Sequence, residues 1–335
     1  MRAWRVAALG EPAEALRLGE ADEPVPGPGE VRVRVHAAAI GLPDALLCRG
    51  TYPFRPPLPF VPGQEVCGVV DAVGAGVDDP VSAPGARVMG VTSFIDGRGG
   101  FADATVVAAA NAFRVPDDLP AADAAGFRIG YSTAWIALVR RAGLVPGETV
   151  VVLGAAGGSG LAAVQLGHAL GATVIAVVSG PEKAASATAA GADVVVDRAR
   201  ESVPDVVLEA TGGRGADVVF DPVGGALADS LWPALAPRGR FLAVGFASGE
   251  WVRADALTLV ARNQSLLGVL AAGWSRDDEL AAHERLLALA AQGALSARPT
   301  VVPFADLPAA LTEVAAGAAV GKLVLDVTGD VDARR

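Results

Sequence analysis

Polar and hydrophobic residues alternate along the first third of the chain as they do in half-buried strands. In residues 30–37 three valines alternate with two arginines and a histidine, which predicts a strand with one covered face. Further strand-like segments follow at 66–73, 86–89 and 105–108, and the proline-rich stretch 50–63 is predicted to be an ordered loop. Because no helix-like segment is recognised here, this part of the chain is predicted to be a β domain.

The pattern changes near Asp123, where apolar runs begin to alternate with alanine-rich helical segments. Helices are predicted at 120–127, 132–142, 160–170, 182–190 and 203–211, and strands at 149–153, 173–178, 194–196, 218–221 and 240–245. Since these strands are largely apolar, both of their faces should be covered, which is typical of a parallel, doubly wound sheet. From about residue 275 a helix at 277–291 precedes strand-like segments at 300–303 and 323–327.

Length and charge restrict the class of protein and its partners. A chain of 335 residues fits two domains, and its net charge of −10 argues against nucleic acid or an anionic membrane surface as a partner. We find no apolar run long enough to span a membrane and no signal peptide, so we expect a cytoplasmic protein. Cys48 and Cys67 are the only cysteines, and buried free thiols are expected rather than a disulfide.

A glycine-rich segment, GAAGGSG at 154–160, follows a predicted buried strand and opens a predicted helix. This is the context that a dinucleotide-binding turn requires, because glycines let a pyrophosphate approach the main chain and the helix N-terminus attracts the anion. We therefore predict that Ala156, Gly157, Gly158 and Ser159 bind a dinucleotide. A tight turn that needs glycine only for its conformation is the alternative.

The residues after the next strand indicate which nicotinamide cofactor binds. An NAD site usually places Asp or Glu there for the ribose 2′-hydroxyl, whereas this chain has Ser179, with Lys183 one turn later and Arg198 after the following strand. A hydroxyl and two cations suit a 2′-phosphate, so NADPH is the predicted cofactor. Glu182 is a carboxylate nearby, and solvated surface charge is the alternative for both cations.

Motifs spread over nearly the whole chain form a specific set. They are DALLCRGTY (44–52), PFVPGQEVCGVV (59–70), GGFA (99–102), TAW (133–135), PGETVVVLGAAGGSG (146–160), FDPVGG (220–225), GRFLAVG (239–245) and GKLVL (321–325). The set resembles the medium-chain dehydrogenase/reductase superfamily, in its zinc-free quinone oxidoreductase (ζ-crystallin-like) branch.

The resemblance implies an α/β fold in which a Rossmann doubly wound parallel sheet domain is inserted in a GroES-like twisted β domain. Residues 125–270 would form the NADPH-binding Rossmann domain, and residues 1–124 with 271–335 the GroES-like substrate domain. The family is often homodimeric, through pairing of the strand near residues 265–270. The resemblance also implies these cofactor contacts: Tyr52, Thr133, Val244, Gly245, Phe246, Ala247, Gly268, Val269, Leu270 and Lys322.

Metal ligands are missing where zinc-dependent relatives of this family carry them. Those relatives have Gly-His-Glu where this chain has Gly63-Gln64-Glu65, and a four-cysteine lobe near 91–110 where this chain has no cysteine. Its histidines, His36, His168 and His283, have no cysteine partners at ligand spacing. We therefore expect no metal, which argues against alcohol dehydrogenase chemistry.

Chemistry without a metal suits substrates that are already electrophilic, such as quinones and α,β-unsaturated carbonyl compounds. Tyr52 is the candidate proton donor because a phenol stays protonated at neutral pH; packing on neighbouring prolines is the alternative. Arg128 could hold a substrate oxygen or acid, or instead form an interdomain salt bridge. Where the family usually carries Asn, this chain has Gly41, which offers no side-chain hydrogen bond and could widen the substrate pocket.

The sequence thus predicts an NADPH-dependent reductase of small quinones or enones. An enoyl-thioester reductase stays open, although the acidic composition lends it little support. A biosynthetic tailoring reductase or cyclase for a larger conjugated substrate would fit Gly41. A non-catalytic NADPH-binding protein is the hypothesis from a different class.

Overall fold

The computed structural model describes residues 1–329. It consists of two compact units. The terminal unit comprises Met1–Ile129 together with the chain from Ala297 onward, and the central unit comprises Gly130–Ser296. Compared with the predicted boundaries, the main difference is that residues 271–296 belong to the central unit. Residues 330–335 of the predicted GroES-like domain lie outside the described residues.

The strands and helices are numbered in chain order. The strands are β1 (Arg2–Val6), β2 (Leu16–Glu20), β3 (Glu30–Ile40), β4 (Glu65–Val73), β5 (Arg87–Thr92), β6 (Ala104–Arg114), β7 (Thr149–Leu153), β8 (Thr173–Val178), β9 (Val194–Asp197), β10 (Ala216–Asp221), β11 (Leu235–Ala243), β12 (Ser265–Gly268), β13 (Thr300–Pro303) and β14 (Leu323–Asp326). The helices are α1 (Pro12–Ala15), α2 (Leu42–Arg49), α3 (Ala121–Ala125), α4 (Arg128–Trp135), α5 (Gly158–Ala169), α6 (Pro181–Ala189), α7 (Val203–Ala210), α8 (Gly225–Asp229), α9 (Ala256–Arg262), α10 (Arg276–Ala291) and α11 (Leu307–Ala315). A π-helical segment, Ile136–Arg141, continues α4.

The main sheet of the terminal unit closes on itself. Its strand order is β13-β14-β3-β4-β5-β6, and β6 also pairs with β3. The alternation predicted for residues 30–37 is observed in β3, because Val31, Val33 and Val35 are at most 2% exposed while the residues between them are less covered. The last four residues of β3 are all buried, so this strand continues beyond the alternating segment into a region covered on both faces.

Helix α2 is an element that the sequence pattern did not predict. Pro43 lies in its first turn, the Asp44 carboxylate accepts the N–H of Gly41 at 3.0 Å, and Gly50 ends the helix in a left-handed conformation (φ +67°). These are ordinary helix start and stop signals, but the segment between them has only eight residues. The segment lies between β3 and the proline-rich stretch 50–63, so the sequence pattern assigned it to the β domain.

The central unit has a single six-stranded parallel sheet with the order β12-β11-β10-β7-β8-β9. The chain starts in the middle at β7, builds outward through β8 and β9, and then returns to β10 on the other side of β7. This order is that of a Rossmann fold, so the predicted doubly wound sheet is confirmed. The order reverses between β7 and β10, which is the place where such sheets bind ligands.

The segment 271–296 is attached to the central unit by polar contacts of α10 and the residues after it. Asp278 of α10 pairs with Arg140 at 2.7 Å, and the side-chain amide of Gln165 in α5 exchanges two hydrogen bonds with the main chain of Ser296. The sequence pattern showed that a helix lies here but not which sheet it packs on, because such contacts join residues far apart in the chain.

Both cysteines are buried free thiols, as predicted. Burial raises the pKa of Cys48 and of Cys67 to about 12, so neither is a thiolate at neutral pH. Within residues 1–329 we find no helix that is both long and apolar enough to cross a membrane.

Candidate nucleotide-binding turn and catalytic residues

The glycine-rich turn joins β7 to α5 in the central unit. β7 is buried along its whole length, Gly154 adopts a left-handed conformation (φ +57°), and α5 begins after the N-cap Gly157. A Cβ added to Gly160 would collide with the carbonyl oxygen of Gly154 and would lie 2.8 Å from the Cα of Ala155. Only glycine at position 160 therefore allows the first turn of α5 to pack directly on the turn.

The N-terminal end of α5 presents main-chain groups. No side chain among the described residues caps this helix, and the N–H groups of its first turn have no acceptor within the helix. Combined with the helix dipole, these N–H groups form an end that favours an anion. The predicted phosphate-binding residues Ala156, Gly157, Gly158 and Ser159 all lie on this turn.

Ser179, Lys183 and Arg198 lie at the carboxyl ends of β8 and β9, next to the glycine-rich turn. The two strands are parallel neighbours with Val178 opposite Asp197, and the N–H of Arg198 donates to the carbonyl of Val178 at 3.0 Å. Ser179 follows one strand, Arg198 follows the next, and Lys183 lies in the first turn of α6. The fold therefore brings the predicted 2′-phosphate ligands to one edge of the sheet.

Two charged residues at this edge, Asp197 and Arg200, were missed in the sequence. The Asp197 carboxylate accepts the N–H of Gly180 at 3.3 Å and of Ala199 at 3.1 Å, and it pairs with Arg200 at 3.6 Å. The hydrogen bonds from these N–H groups lower the pKa of Asp197, so the carboxyl is ionised. The sequence signal that could have identified Asp197 is its position directly after the strand predicted at 194–196. The carboxylate keeps its negative charge while it holds this loop, and Arg200 and Arg198 are the cations that act on it.

Residues 244–247 follow β11, and residues 268–270 begin with the last residue of β12, at the same carboxyl edge. The N–H groups of Val244 and Gly245 donate to the carbonyl of Asp221 at 2.9 and 3.1 Å, and that of Val269 donates to Ala243 at 3.0 Å. Phe246 packs on Trp251 with ring centroids 4.8 Å apart. The residues that the family resemblance assigns to the nicotinamide half thus share the sheet edge that carries the glycine-rich turn.

A buried carboxylate, Asp221, ends β10 beside β7. Its Oδ1 accepts the N–H groups of Val223 and Gly224 at 2.8 and 2.7 Å, whereas its buried Oδ2 has no hydrogen-bond partner within residues 1–329. Burial raises the pKa of Asp221 to about 6, against the effect of the two N–H donors. The sequence showed this residue only as part of the FDPVGG motif, without an indication of its burial.

Helix α4 lies close to the glycine-rich turn. A Cβ at Gly130 would be 3.5 Å from the carbonyl oxygen of Gly158, and the hydroxyl of Tyr131 donates to Gln165 in α5 at 2.7 Å. Thr133, a predicted cofactor contact, is 9% exposed on this helix. The central unit therefore contains Thr133 and the other predicted cofactor residues from Ala156 to Leu270.

Tyr52 lies just after α2 in the terminal unit and is partly buried. Its ring contacts Phe54 and Phe94, with centroids 6.1 and 6.3 Å away. Burial raises the pKa of the phenol, and the neighbouring Gln64 side chain lowers it, with a net increase. The tyrosine hydroxyl therefore keeps its proton at neutral pH.

Glu65 is the centre of a buried charged group in the terminal unit. It is 1% exposed, its Oε1 accepts the N–H of Ile129 at 2.8 Å, and its Oε2 pairs with Lys322 at 3.3 Å. Arg128 is 5% exposed and stacks on the ring of Phe113 at 3.8 Å. Burial raises the pKa of Glu65, and Lys322 and Arg128 oppose that increase. Lys322 was predicted to bind the cofactor and Arg128 the substrate. Both thus stabilise the buried Glu65 carboxylate of their own unit.

Among the described residues, no group of three or more His, Cys, Asp or Glu side chains could hold a metal ion. His36 lies in β3, His168 in α5 and His283 in α10, so the three histidines are on separate elements. Gln64 and Glu65 are both buried where zinc relatives have His and Glu.

Two family models match the chain. The model for the alcohol dehydrogenase GroES-like domain matches residues 27–117, within the terminal unit. The model for zinc-binding dehydrogenase matches residues 158–288, within the central unit. Each unit therefore carries one of the two domains that the sequence motifs suggested.

Individual proteins are similar over most of the chain. Quinone oxidoreductase-like protein 2 of Rattus norvegicus is 36% identical over 82% of this chain and 76% of its own length. Erythronolide synthase EryA2 of Saccharopolyspora erythraea is 36% identical over 91% of this chain, which corresponds to 8% of that protein. A solved structure, mycobacterial Rv1454c complexed with NADPH, is 32% identical, covers 97% of this chain and 99% of its own, and has a TM-score of 0.89. The chain therefore belongs to the medium-chain dehydrogenase/reductase superfamily, in its quinone oxidoreductase-like branch.

Proposed function

We propose that this protein is an NADPH-dependent oxidoreductase that reduces quinones or α,β-unsaturated carbonyl compounds without a metal. The observation that carries the proposal is the carboxyl edge of the central sheet. There the first turn of α5 presents N–H groups beside Ser179, Lys183 and Arg198. The NADPH complex of the similar mycobacterial protein supports the same cofactor.

The residues present fit NADPH better than NADH. The N–H groups after Gly157 suit a pyrophosphate, and Gly160 leaves no Cβ in the packed turn. Ser179 can donate to a 2′-phosphate, while Lys183 and Arg198 add positive charge. Asp197 is ionised at this edge, and Arg200 and Arg198 offset part of its charge.

NADPH supplies a hydride, and the net reaction adds this hydride and one proton to the substrate. Tyr52 holds a proton on its hydroxyl at neutral pH because burial raises the pKa of the phenol. We infer that this hydroxyl donates to the substrate oxygen as negative charge develops there, and regains its proton from solvent. Metal independence is supported by Gln64, because a neutral amide is a poor replacement for the histidine ligand of zinc relatives.

A second candidate is a biosynthetic tailoring reductase for a larger conjugated substrate. Two observations favour it. The similarity to erythronolide synthase EryA2 extends over 91% of this chain, and Gly41 offers no side chain where the family usually carries Asn. Both candidates share the cofactor and the proton donor, and they differ in the size of the substrate.

We also propose a homodimer formed through β12. This strand is an edge of the central sheet, and it lies next in the chain to α9, where Leu257 and Val260 are 74% and 72% exposed. Leu266 and Leu270 on and after β12 are 37% and 63% exposed. A second copy of the chain is expected to bind at this edge, because identical edge strands can pair about a two-fold axis and cover each other's apolar residues.

NADPH absorbance reports the activity directly. We expect oxidation of NADPH with 1,4-benzoquinone, 9,10-phenanthrenequinone or the enone 4-phenyl-3-buten-2-one; crotonyl-CoA in the same panel tests thioesters. If the protein binds NADPH tightly and oxidises it with none of the four, the reductase proposal is wrong.

The cofactor assignment has its own test in Lys183→Ala. We expect the Kd for NADPH to rise about tenfold and the Kd for NADH to change little, because the lost charge acts only on the 2′-phosphate. Fluorescence titration of both nucleotides measures this. Arg285→Ala, which removes one exposed cation of α10, is the matched control. Equal weakening of both nucleotides by Lys183→Ala would remove the 2′-phosphate role.

A further inference from the structure

The side-chain amide of Gln64 is a buried hydrogen-bond donor without an acceptor. Gln64 is 8% exposed, and its Nε2 has no hydrogen-bond partner anywhere in residues 1–329. A buried N–H group without an acceptor is unfavourable and rare in native proteins. In a protein that binds a small molecule, such a group suggests that the acceptor is supplied by the ligand.

The backbone around this amide is fixed from both sides. The carbonyl of Gln64 accepts the N–H of Thr92 at 2.9 Å, and the Thr92 hydroxyl donates to the carbonyl of Gly63 at 2.8 Å. On the other side, the Asp44 carboxylate accepts the N–H of Gly63 at 3.0 Å and also that of Gln64. The amide is therefore held in place before any ligand arrives, which is what a recognition group requires.

The neighbour of this amide is the candidate proton donor. The Gln64 side chain interacts with the Tyr52 hydroxyl and lowers the pKa of that phenol, which burial raises, but Nε2 forms no hydrogen bond of regular geometry with it. The same Asp44 carboxylate that binds the backbone of Gln64 also accepts the N–H of Gly41 at 3.0 Å. Gly41, Tyr52 and Gln64 therefore lie close together in the terminal unit.

Gly41 is not required by its own backbone or by lack of space. Its φ is −136°, and an added Cβ would meet its nearest atoms, in Pro43 and Asp44, at 3.4 and 3.5 Å, which is ordinary contact. An amide-bearing side chain at position 41 is therefore possible, but this chain carries its amide at position 64.

We propose that Gln64 recognises the substrate by donating a hydrogen bond from Nε2 to its carbonyl oxygen, next to the Tyr52 hydroxyl, in place of the amide that Gly41 lacks. The proposal rests on the proposed reductase function. The ligand class is a conjugated ketone or quinone, since the carbonyl oxygen is the acceptor that completes the amide. Gln64 then determines the preference for a carbonyl compound over an alkene of the same shape.

The binding test uses the ketone 4-phenyl-2-butanone and its alkene analogue 2-methyl-4-phenyl-1-butene, each titrated calorimetrically into the protein saturated with NADP⁺. The wild-type protein should bind the ketone about tenfold more tightly than the alkene. Gln64→Met should weaken ketone binding about tenfold and leave alkene binding unchanged. Gln292→Met, on an exposed glutamine at the end of α10, should keep the preference.

A spectroscopic readout keeps the proposal testable where a variant folds poorly. In the wild-type protein the infrared C=O band of ¹³C-labelled ketone should shift to lower wavenumber on binding. It should shift less in Gln64→Met and in Gln64→Glu, while thermal unfolding and the NADPH Kd show that the variants are folded.

Either of two results overturns the proposal: no ketone preference in the wild-type protein, or a preference and band shift that survive in Gln64→Met. Failure of the reductase function is distinguishable, because it is a lack of NADPH oxidation with every substrate of the panel, whereas these readouts need no turnover.

Discussion

Tyr52 combines partial burial with a hydroxyl that stays protonated at neutral pH. We predict that Tyr52→Phe lowers kcat for 4-phenyl-3-buten-2-one about 100-fold, because a positioned proton donor is lost. The NADPH Kd should change only slightly, since the change removes one oxygen from a predicted contact of the cofactor and leaves the glycine-rich turn, Ser179 and Lys183 intact. Stopped-flow reduction at saturating NADPH measures the hydride step.

Tyr131→Phe is the matched control, because it removes the same hydroxyl from the other tyrosine, which donates to Gln165. It should cost stability of about 1 kcal/mol through the lost hydrogen bond and leave kcat nearly unchanged. If Tyr52→Phe reduces the enone as fast as the wild-type protein, Tyr52 has only a packing role against Phe54 and Phe94.

Asp221 makes stability depend on pH in an unusual direction. Burial raises its pKa to about 6, whereas an exposed aspartate titrates near 4. The folded state therefore keeps this proton to higher pH than the unfolded chain, and the contribution of Asp221 to stability falls as the pH rises from about 4 to about 6. Asp221→Asn lacks this loss, so its stability relative to wild type should rise by about 1.4 kcal/mol per pH unit in that window.

Urea unfolding at several pH values measures this difference. Asp217→Asn, on the same strand, is the control with the opposite sign. Burial raises the pKa of Asp217, but Arg214 and the N–H of Thr149 outweigh burial and lower it. Its difference from wild type should be constant between pH 4 and 6 and should shrink only at lower pH. A flat difference for Asp221→Asn as well would show that Asp221 is ionised throughout.

At the scale of elements, two glycines of the β7–turn–α5 unit are predicted to have different roles, one in nucleotide binding and the other in the stability of the fold. Gly157 has φ −85°, and a Cβ there would meet nothing closer than 3.5 Å. We predict that Gly157→Ala changes the free energy of unfolding by less than about 0.5 kcal/mol but weakens NADPH binding at least about tenfold, because the methyl group occupies the anion side of the turn. Calorimetric unfolding and fluorescence titration measure the two effects.

Gly160→Ala provides the comparison within the same turn. Its Cβ would collide with the carbonyl oxygen of Gly154, so it should lower the free energy of unfolding by about 1–3 kcal/mol. If Gly157→Ala binds NADPH with wild-type affinity, the turn is a structural feature only.

The elements also show which patterns were sufficient for prediction. β7 and β8 were predicted because they are largely apolar runs, and α10 is the longest helix among the described residues. Helix α2 was missed because it follows directly on β3 and is followed by the proline-rich stretch 50–63, so the pattern assigned the segment to the β domain. This omission mattered for the site, since α2 carries Asp44, which connects the backbone at Gly41 to that at Gly63 and Gln64.

At the scale of the whole molecule, the edge of the central sheet determines the oligomeric state that we expect. Leu257→Asp should convert a dimer into a monomer, raising the dimer Kd at least about tenfold by placing a charge in an apolar contact. The acid lies in the first turn of α9, where it favours the helix, so folding should be kept. Sedimentation equilibrium measures the masses.

Val25→Asp in the terminal unit is the matched control, because this valine is 79% exposed against 74% for Leu257. It should leave the dimer intact. A wild-type protein that sediments with the mass of one chain at micromolar concentration would contradict pairing through β12.

The sequence by itself determined the features that depend on neighbouring residues. Periodicity and apolar runs predicted the parallel sheet, the spacing of glycines after β7 predicted the nucleotide-binding turn, and Ser179 with Lys183 indicated the 2′-phosphate. Tertiary structure alone decided the features that depend on residues far apart, such as the pair between Lys322 and Glu65 across 257 positions. The amide of Gln64 belongs to this second group. Whether a buried donor finds a partner depends on the register and packing of several elements at once, and a local pattern does not encode them.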